Sequence, residues 1–231
     1  MGTITLKDQI LSPQFQEKIR RVLPEKIEVA RFLQICAAAA AHEEIRGCDP
    51  ITVFESILSL ARWGLYPDGK YAALVAYKNV CKAHVMIAGE ILLLRRSGVK
   101  GPIWAAIVYE HDTLVIEKGT NPICRWAPKL NGDRGAKIGA LAYIDYGNGE
   151  FDCEYMTIEE IDQIREFSIA AKKGVGPWCG PETVVDEMRK KVVLRRLLKR
   201  QGYEQELMQL VDEMEQEPEE PVVEVDDEQN T

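Results

Sequence analysis

The spacing of apolar residues is helical before Gly64, becomes strand-like after it, and returns to helical at Thr157. Before Gly64, apolar residues recur every three or four positions, and Asp49 followed by Pro50 is a typical helix start. After Gly64, runs of alternating apolar residues are separated by turns containing Gly, Asn and Asp. Helices followed by strands and then by helices indicate an α+β fold, with a small antiparallel sheet and flanking helices.

The same patterns predict the individual elements. Helices are predicted around Phe15–Val22, at Pro24–Ala41, Pro50–Gly64, Ala88–Arg96, from Thr157 to about Phe167, and at Pro181–Arg200. Strands are predicted at Ala72–Tyr77, Val80–Ile87, Pro102–Glu110, Thr113–Glu117, Asn121–Trp126, Ile138–Tyr146 and Asp152–Met156. The first two strands are expected to turn at Lys78-Asn79, and the third and fourth to form a hairpin at His111-Asp112.

Charge is distributed unevenly along the chain. The 231 residues include 29 Lys plus Arg and 37 Asp plus Glu, and 12 of these acidic residues lie in 201–231, which contain no Lys or Arg. Residues 1–200 therefore carry 29 basic and 25 acidic side chains, an excess of four positive charges. This asymmetry predicts a basic body, residues 1–202, followed by a disordered acidic tail, residues 203–231. It is compatible with a nucleic-acid partner and also with a tail that only improves solubility.

The composition excludes several classes of protein. No apolar run approaches the length of a membrane span, and the first ten residues do not resemble a signal peptide, so a cytoplasmic location is expected. The six cysteines and three histidines show no zinc-binding spacing, and we expect free, buried thiols.

The strongest basic signal is the segment Met188–Arg200, in which seven of thirteen residues are Lys or Arg. On a helix, Lys191, Arg195 and Lys199 form one ridge, while Arg189, Arg196 and Arg200 form another. Because like charges at this spacing repel each other, we expect a counter-charge. It could come from DNA phosphate or from the acidic tail, and a solvated helix face is the alternative.

Further basic residues lie in predicted loops or at the ends of predicted elements, several of them close to glycines that allow a backbone to approach a phosphate. Tyr77, Trp126 and Trp178 lie beside them and could stack on bases or pack in the core. The predicted DNA-binding residues are Tyr77, Lys78, Lys82, Arg95, Arg96, Arg125, Lys129, Arg134, Lys137, Lys172, Lys173, Trp178, Lys190, Lys191 and Arg195.

Motifs for an enzyme are weak. The glycine-rich segment Gly174–Gly180 lacks the lysine and hydroxyl residues of a nucleotide-binding loop, so no nucleotide cofactor is expected. A metal-dependent nuclease could use carboxylates that are close in sequence, namely Asp145, Asp152, Glu154, Glu159 and Glu160. The last two fit equally well as first-turn residues of a helix, where carboxylates are favoured by the helix dipole. We therefore expect no catalytic residues and no metal site.

Several motifs in a fixed order resemble the RecT family of phage-type single-strand annealing proteins. They are Cys48-Asp49-Pro50 leading to A-R-W-G-L-Y-P-D-G, then V-A-Y-K, R-R-S-G, A-I-V-Y-E-H-D, G-A-L-A-Y, Y-M-T-I-E-E, G-P-W and the basic segment E-M-R-K-K-V-V-L-R-R-L-L-K. The resemblance extends from about Phe32 to Arg200. It implies an antiparallel sheet with helices, and DNA held in a basic groove along an oligomer.

The resemblance also implies an activity and a set of partners. The activity is ATP-independent binding of single-stranded DNA and annealing of complementary strands. The partners are single-stranded DNA, the annealed duplex, further copies of the chain in a ring or helical filament, and an exonuclease encoded alongside. A host single-strand binding protein could be another partner, and Mg²⁺ could stimulate annealing without a dedicated site. A phage or prophage origin within a bacterial host is implied.

Two alternatives remain open from the sequence alone. One is a protein-interaction or regulatory module whose acidic tail mimics DNA, and the other is the metal-dependent nuclease.

Overall fold

The computed structural model describes residues 5–200, which form two compact units. The first contains the described residues up to Met86, and the second begins at Ile87. Within residues 5–200, no helix is both long enough and apolar enough to cross a membrane. The predicted boundary at residue 202 and the acidic tail lie outside the described residues.

The described part of the first unit is helical before its two strands. The helices are α1 (Leu6–Ile10), α2 (Pro13–Val22), α3 (Val29–Ala40), α4 (Glu43–Arg46) and α5 (Pro50–Trp63). Helix α5 begins as predicted, since the Asp49 carboxylate accepts a hydrogen bond from the Ile51 amide at 2.9 Å. It ends at Gly64, whose φ of 62° is a left-handed conformation that glycine adopts without strain.

The predicted start of α3 at Pro24 was wrong. The Ile27 amide donates to the Pro24 carbonyl at 2.9 Å and closes a turn, and the helix begins only at Val29 after an extended Glu28. The fixed φ of proline suits the first corner of a turn as well as the first residue of a helix, so Pro24 did not distinguish the two.

The first unit ends in the antiparallel hairpin of β1 (Ala72–Tyr77) and β2 (Val80–Val85), with the predicted turn at Lys78-Asn79. Helix α5 packs against β2 and is tied to it at Cys81. The Ser56 hydroxyl donates to the Cys81 carbonyl at 3.1 Å, and the Cys81 amide donates to the Thr52 hydroxyl at 2.9 Å. These bonds fix the hairpin on a core that contains Phe32, Leu33, Ile57 and Leu60.

The second unit contains α6, five strands, and the remaining helices of the described chain. The elements are α6 (Ile87–Arg96), β3 (Ile103–Tyr109), β4 (Thr113–Glu117), β5 (Ile123–Ala127), β6 (Lys137–Asp145), β7 (Phe151–Thr157), α7 (Ile158–Arg165), α8 (Ile169–Lys172) and α9 (Glu182–Lys199). A short 3₁₀ turn at Pro177–Cys179 precedes α9. The predicted capping box starts α7: the Thr157 hydroxyl and the Glu160 carboxylate each accept a hydrogen bond from the other residue's amide.

The predicted hairpin of the third and fourth strands was wrong. Strand β3 pairs with β6 in a three-stranded antiparallel sheet of order β3-β6-β7, whereas β4 pairs with β5 in a separate hairpin. The turn at Asp112 does exist, since its amide donates to the Tyr109 carbonyl at 3.0 Å. Strands β3 and β6 carry apolar residues on both faces and need cover on both, whereas β4 and β5 alternate between exposed and half-buried residues. The fold is therefore α+β with small antiparallel sheets and flanking helices, as predicted.

Helix α9 packs across one face of the three-stranded sheet. Its residues Val193, Leu194, Leu197 and Leu198 are buried in a cluster with Ala140, Ala142 and Ile144 of β6. The opposite face of the sheet packs against the β4–β5 hairpin around Val108, Leu141 and Cys153. An aromatic row follows that side, with ring centroids 5.5 Å apart for Trp126–Trp104, 5.3 Å for Trp104–Tyr143 and 5.6 Å for Tyr143–Phe151.

All six cysteines lie within the described residues and are free thiols, as predicted. Four of them are buried, whereas Cys124 is half-buried and Cys179 is exposed. Burial raises the pKa of the Cys81 thiol to about 11, so this group is a neutral core residue at physiological pH.

Candidate nucleic-acid interface

Helix α9 carries the predicted basic ridges, but carboxylates of the second unit supply much of their counter-charge. Arg189 is buried and contacts Glu182 at 2.6 Å and Asp186 at 2.9 Å. Arg195 contacts the buried Glu90 at 3.2 Å, and Lys190 contacts Glu187 at 2.5 Å. From the sequence, DNA or the acidic tail was expected in this role. The ion pairs show instead that Arg189 and Lys190 pair with carboxylates of α9 itself, whereas Arg195 joins α9 to α6.

The buried carboxylate of Glu154, on β7, lies close to three basic side chains. Its oxygens lie 3.1 Å from Arg196, 2.7 Å from Arg200 and 3.5 Å from Lys118. Only 5% of the Glu154 side chain is exposed, so the cations replace the water that the carboxylate has lost. This arrangement anchors the end of α9 to the sheet and to the end of β4.

Three of the five carboxylates considered for a nuclease serve structural roles. Glu154 is bound by cations, Glu160 completes the capping box of α7, and Asp145 accepts a hydrogen bond from the Gly147 amide at 2.7 Å. Residues 5–200 contain no group of three or more His, Cys, Asp or Glu side chains placed to hold a metal ion. The described structure therefore gives the nuclease hypothesis no support.

Asp112 is a structural hub, although its sequence context predicts only a turn residue. Its fully buried carboxylate accepts hydrogen bonds from the Arg134 guanidinium at 2.5 and 3.0 Å, from the Trp126 indole at 3.3 Å, and from the amides of Lys129 and Tyr109 at 3.0 and 3.1 Å. Burial alone would raise the pKa of Asp112, but these bonds outweigh it and hold the pKa well below its usual range. The hub fixes the loop that runs from Lys129 to β6.

Two of the predicted DNA-binding cations are held within this region. Arg134 is engaged by Asp112, and its guanidinium carbon lies 3.9 Å from the centroid of the Tyr109 ring. The Lys137 ammonium lies 2.7 Å from both Glu182 and Asp186, which joins the start of β6 to the start of α9. Hydrogen bonds from Lys137 and then Arg189 lower the pKa of Glu182 to about 2, so the Glu182 carboxylate stays ionised well into the acid range.

Other predicted cations are exposed and have no ion pair with another part of the described chain. In the second unit they are Arg125 on β5, Lys129 in the following loop, Lys172 and Lys173 at the end of α8, and Lys191 on α9. At the end of α6, Arg95 and Arg96 are also exposed, and Arg95 donates to the carbonyls of Val99 and Gly101. Since those acceptors are neutral, the two hydrogen bonds do not compensate the positive charge of Arg95.

The first unit presents its own small basic group at the β1–β2 turn. Lys78 is exposed, with a φ of 57°, and Lys82 lies 5.9 Å from the centre of the Tyr77 ring. The Tyr77 hydroxyl is hydrogen-bonded to His84 Nε2 at 2.8 Å. Tyr77 is therefore held in place on the hairpin with Lys82 close to its ring.

The structure distributes the aromatic residues differently from the sequence-based expectation. Trp178 is only 6% exposed and belongs to the core beneath α9. Trp126 packs against Trp104 at the hairpin. The most exposed aromatic side chain of the described chain is Phe167, at 78% exposure, and it is absent from the residues predicted from the sequence. Periodicity alone could not have identified it, since Phe167 follows the last turn of α7 and belongs to no repeating pattern.

Comparison with known proteins identifies the family. The model of the RecT family matches residues 30–225 of the chain. Over 221 residues, the chain is 28% identical to Protein RecT of Escherichia coli (strain K12), an alignment that covers 90% of this chain and 80% of that protein. The matched range takes in α3 to α9, and with them both units that carry the exposed cations. The resemblance indicated by the ordered sequence motifs is confirmed, and the chain belongs to the RecT family.

Proposed function

We propose that this protein binds single-stranded DNA and anneals complementary strands in phage-type recombination, without nucleotide hydrolysis. The observation that carries the proposal is the family match over residues 30–225, which spans the described body almost completely. It is supported by exposed cations that the fold leaves without an ion pair in the described chain: Lys78, Arg125, Lys129, Lys172, Lys173 and Lys191. The cations that hold the fold together, such as Arg189, are not part of this set.

The mechanism that fits these residues is electrostatic. Lysine and arginine bind phosphates without reading sequence, so the bases of the bound strand stay available to pair with a second strand. Neutralising the phosphates also lowers the repulsion between the two strands. No bond is made or broken, and neither a metal ion nor a nucleotide is needed for the step, although Mg²⁺ could stimulate it by further screening.

The proposed partners follow from the same function. They are single-stranded DNA, the annealed duplex, and further copies of the chain in a ring or helical filament. An exonuclease that produces the single strand is a further partner, and a host single-strand binding protein is a candidate. The acidic residues 201–231 favour one other function, a regulatory module in which this segment mimics DNA.

Annealing by the purified protein tests the proposal. Two complementary strands, one with a fluorophore and one with a quencher, should lose fluorescence faster with the protein than without it, in buffer that contains neither nucleotide nor Mg²⁺. Adding ATP should change nothing, and no ATP hydrolysis should appear.

The same assay separates the alternatives. Strands shortened in the presence of Mg²⁺ would support the nuclease and contradict our proposal. Absence of DNA binding under all conditions would support the regulatory module.

A further inference from the structure

Four large apolar side chains are exposed in the segment from the end of α7 to the loop after α8. Phe167 is 78% exposed, Val175 56%, Ile164 42% and Ile169 38%. These four apolar side chains all lie within residues 164–175, and grouped exposed apolar residues mark interaction sites. Trp178 from the loop after α8 belongs to the core cluster, whereas Phe167 does not.

Backbone hydrogen bonds fold this segment into one compact piece. The Phe167 amide donates to the Ile164 carbonyl at 3.1 Å, the Lys172 amide to the Ser168 carbonyl at 3.0 Å, and the Val175 amide to the Ala170 carbonyl at 2.9 Å. The Arg165 guanidinium lies 5.8 Å from the centre of the Trp178 ring and holds the end of α7 against the core. These contacts therefore fix the backbone around the exposed Phe167 ring.

Positive charge accompanies the exposed ring. Residues 164–176 contain Arg165, Lys172 and Lys173 against the single carboxylate Glu166. Lys172 and Lys173 are exposed, and neither forms an ion pair with another residue in the described part of the chain. Lys172 and Lys173 lie five and six residues after Phe167 in the same folded segment.

We propose that Phe167 is a base-stacking residue for single-stranded DNA, with Lys172 and Lys173 binding the adjacent phosphates. An aromatic face beside lysines is the arrangement that holds single strands irrespective of sequence, because every base has a π-face. The aliphatic neighbours Ile164, Ile169 and Val175 provide an apolar border for the stacked base. This inference rests on the proposed function and adds to it a contact with the bases.

The test compares variants of the full chain on two probes. Oligothymidylate offers bases and phosphates, whereas an abasic deoxyribose-phosphate oligomer of the same length offers only the backbone. Phe167→Ala and Phe167→Leu should lose affinity for oligothymidylate by about 5- to 150-fold, while Phe167→Trp retains it. All three should bind the abasic oligomer as the parent protein does. Leu130→Ala, which truncates another exposed apolar side chain beside a lysine, should change neither affinity.

Each other outcome has a defined meaning. If Phe167→Ala binds oligothymidylate as tightly as the parent protein, or loses affinity equally on both probes, stacking is wrong although DNA binding stands. A second outcome is that Phe167→Leu binds as tightly as the parent protein while light scattering shows smaller assemblies for Phe167→Ala. Phe167 would then lie at a contact between copies of the chain, and stacking would again be wrong. If the parent protein binds neither probe, the proposed function itself fails. Thermal unfolding should be unchanged in all variants, because Phe167 is exposed.

Discussion

Replacing Asp112 with alanine is expected to lower the free energy of unfolding by about 3 to 5 kcal/mol, because the change breaks a charged hydrogen-bond network centred on a fully buried carboxylate. The change leaves Arg134 without its carboxylate and removes the acceptor for the Trp126 indole and for the amides of Lys129 and Tyr109. Unfolding in denaturant, followed by circular dichroism, measures the loss. We expect the loop from Lys129 to β6 to become protease-sensitive in the same variant.

The matched control is Glu117→Ala, which removes an exposed carboxylate from the neighbouring strand β4. Because that side chain is solvated, its loss should change the free energy of unfolding by less than about 0.5 kcal/mol. Equal stability of the Asp112 and Glu117 variants would contradict the role of Asp112 as a hub.

Reversing the charge of both lysines at the end of α8, in Lys172→Glu/Lys173→Glu, should strongly weaken DNA binding. Each lysine attracts a phosphate by about 1 kcal/mol, and each glutamate would repel it by a similar amount. Screening by salt reduces the summed loss of binding free energy to about 2 to 3 kcal/mol. The expected loss in affinity is about 30- to 150-fold. Fluorescence anisotropy of a labelled single strand at low salt measures it.

A control for net charge is available in the first unit. Lys18→Glu/Lys26→Glu changes the total charge by the same amount at two exposed positions outside the proposed set. This variant should bind DNA nearly as the parent protein does. If both double variants lose affinity equally, only the net charge of the protein matters, and the assignment of Lys172 and Lys173 is wrong.

Local signals in the sequence predicted local structure well. Asp49, Pro50 and Gly64 define the two ends of α5, and Thr157 with Glu160 defines the start of α7, because each signal acts within one helical turn. The Lys78-Asn79 turn was predicted for the same reason. The pairing of β3 with β6 was missed because it joins strands almost 30 residues apart, and chain neighbours are the first partners that a sequence suggests.

The same limit applies to the candidate interface. The sequence shows that α9 is basic, but it does not show that Arg195 would meet Glu90, which is 105 residues away along the chain. Nor does it show that one carboxylate, Glu154, would bind Arg196, Arg200 and Lys118. Burial likewise decides which aromatic is available, since the core takes Trp178 and leaves Phe167 exposed. The structure thus separates cations that hold the fold from exposed cations that form no ion pair within the described chain.

The most direct test of the central claim is the affinity for a single strand as a function of salt concentration. If the six exposed cations Lys78, Arg125, Lys129, Lys172, Lys173 and Lys191 each contact a phosphate, the logarithm of affinity should fall with the logarithm of salt concentration with a slope of about −4. Between 50 and 200 mM salt, this slope is a loss of about 300-fold, and it should be the same for strands of different sequence. An affinity that stays constant over that range, or that depends on sequence, would contradict binding through the phosphates.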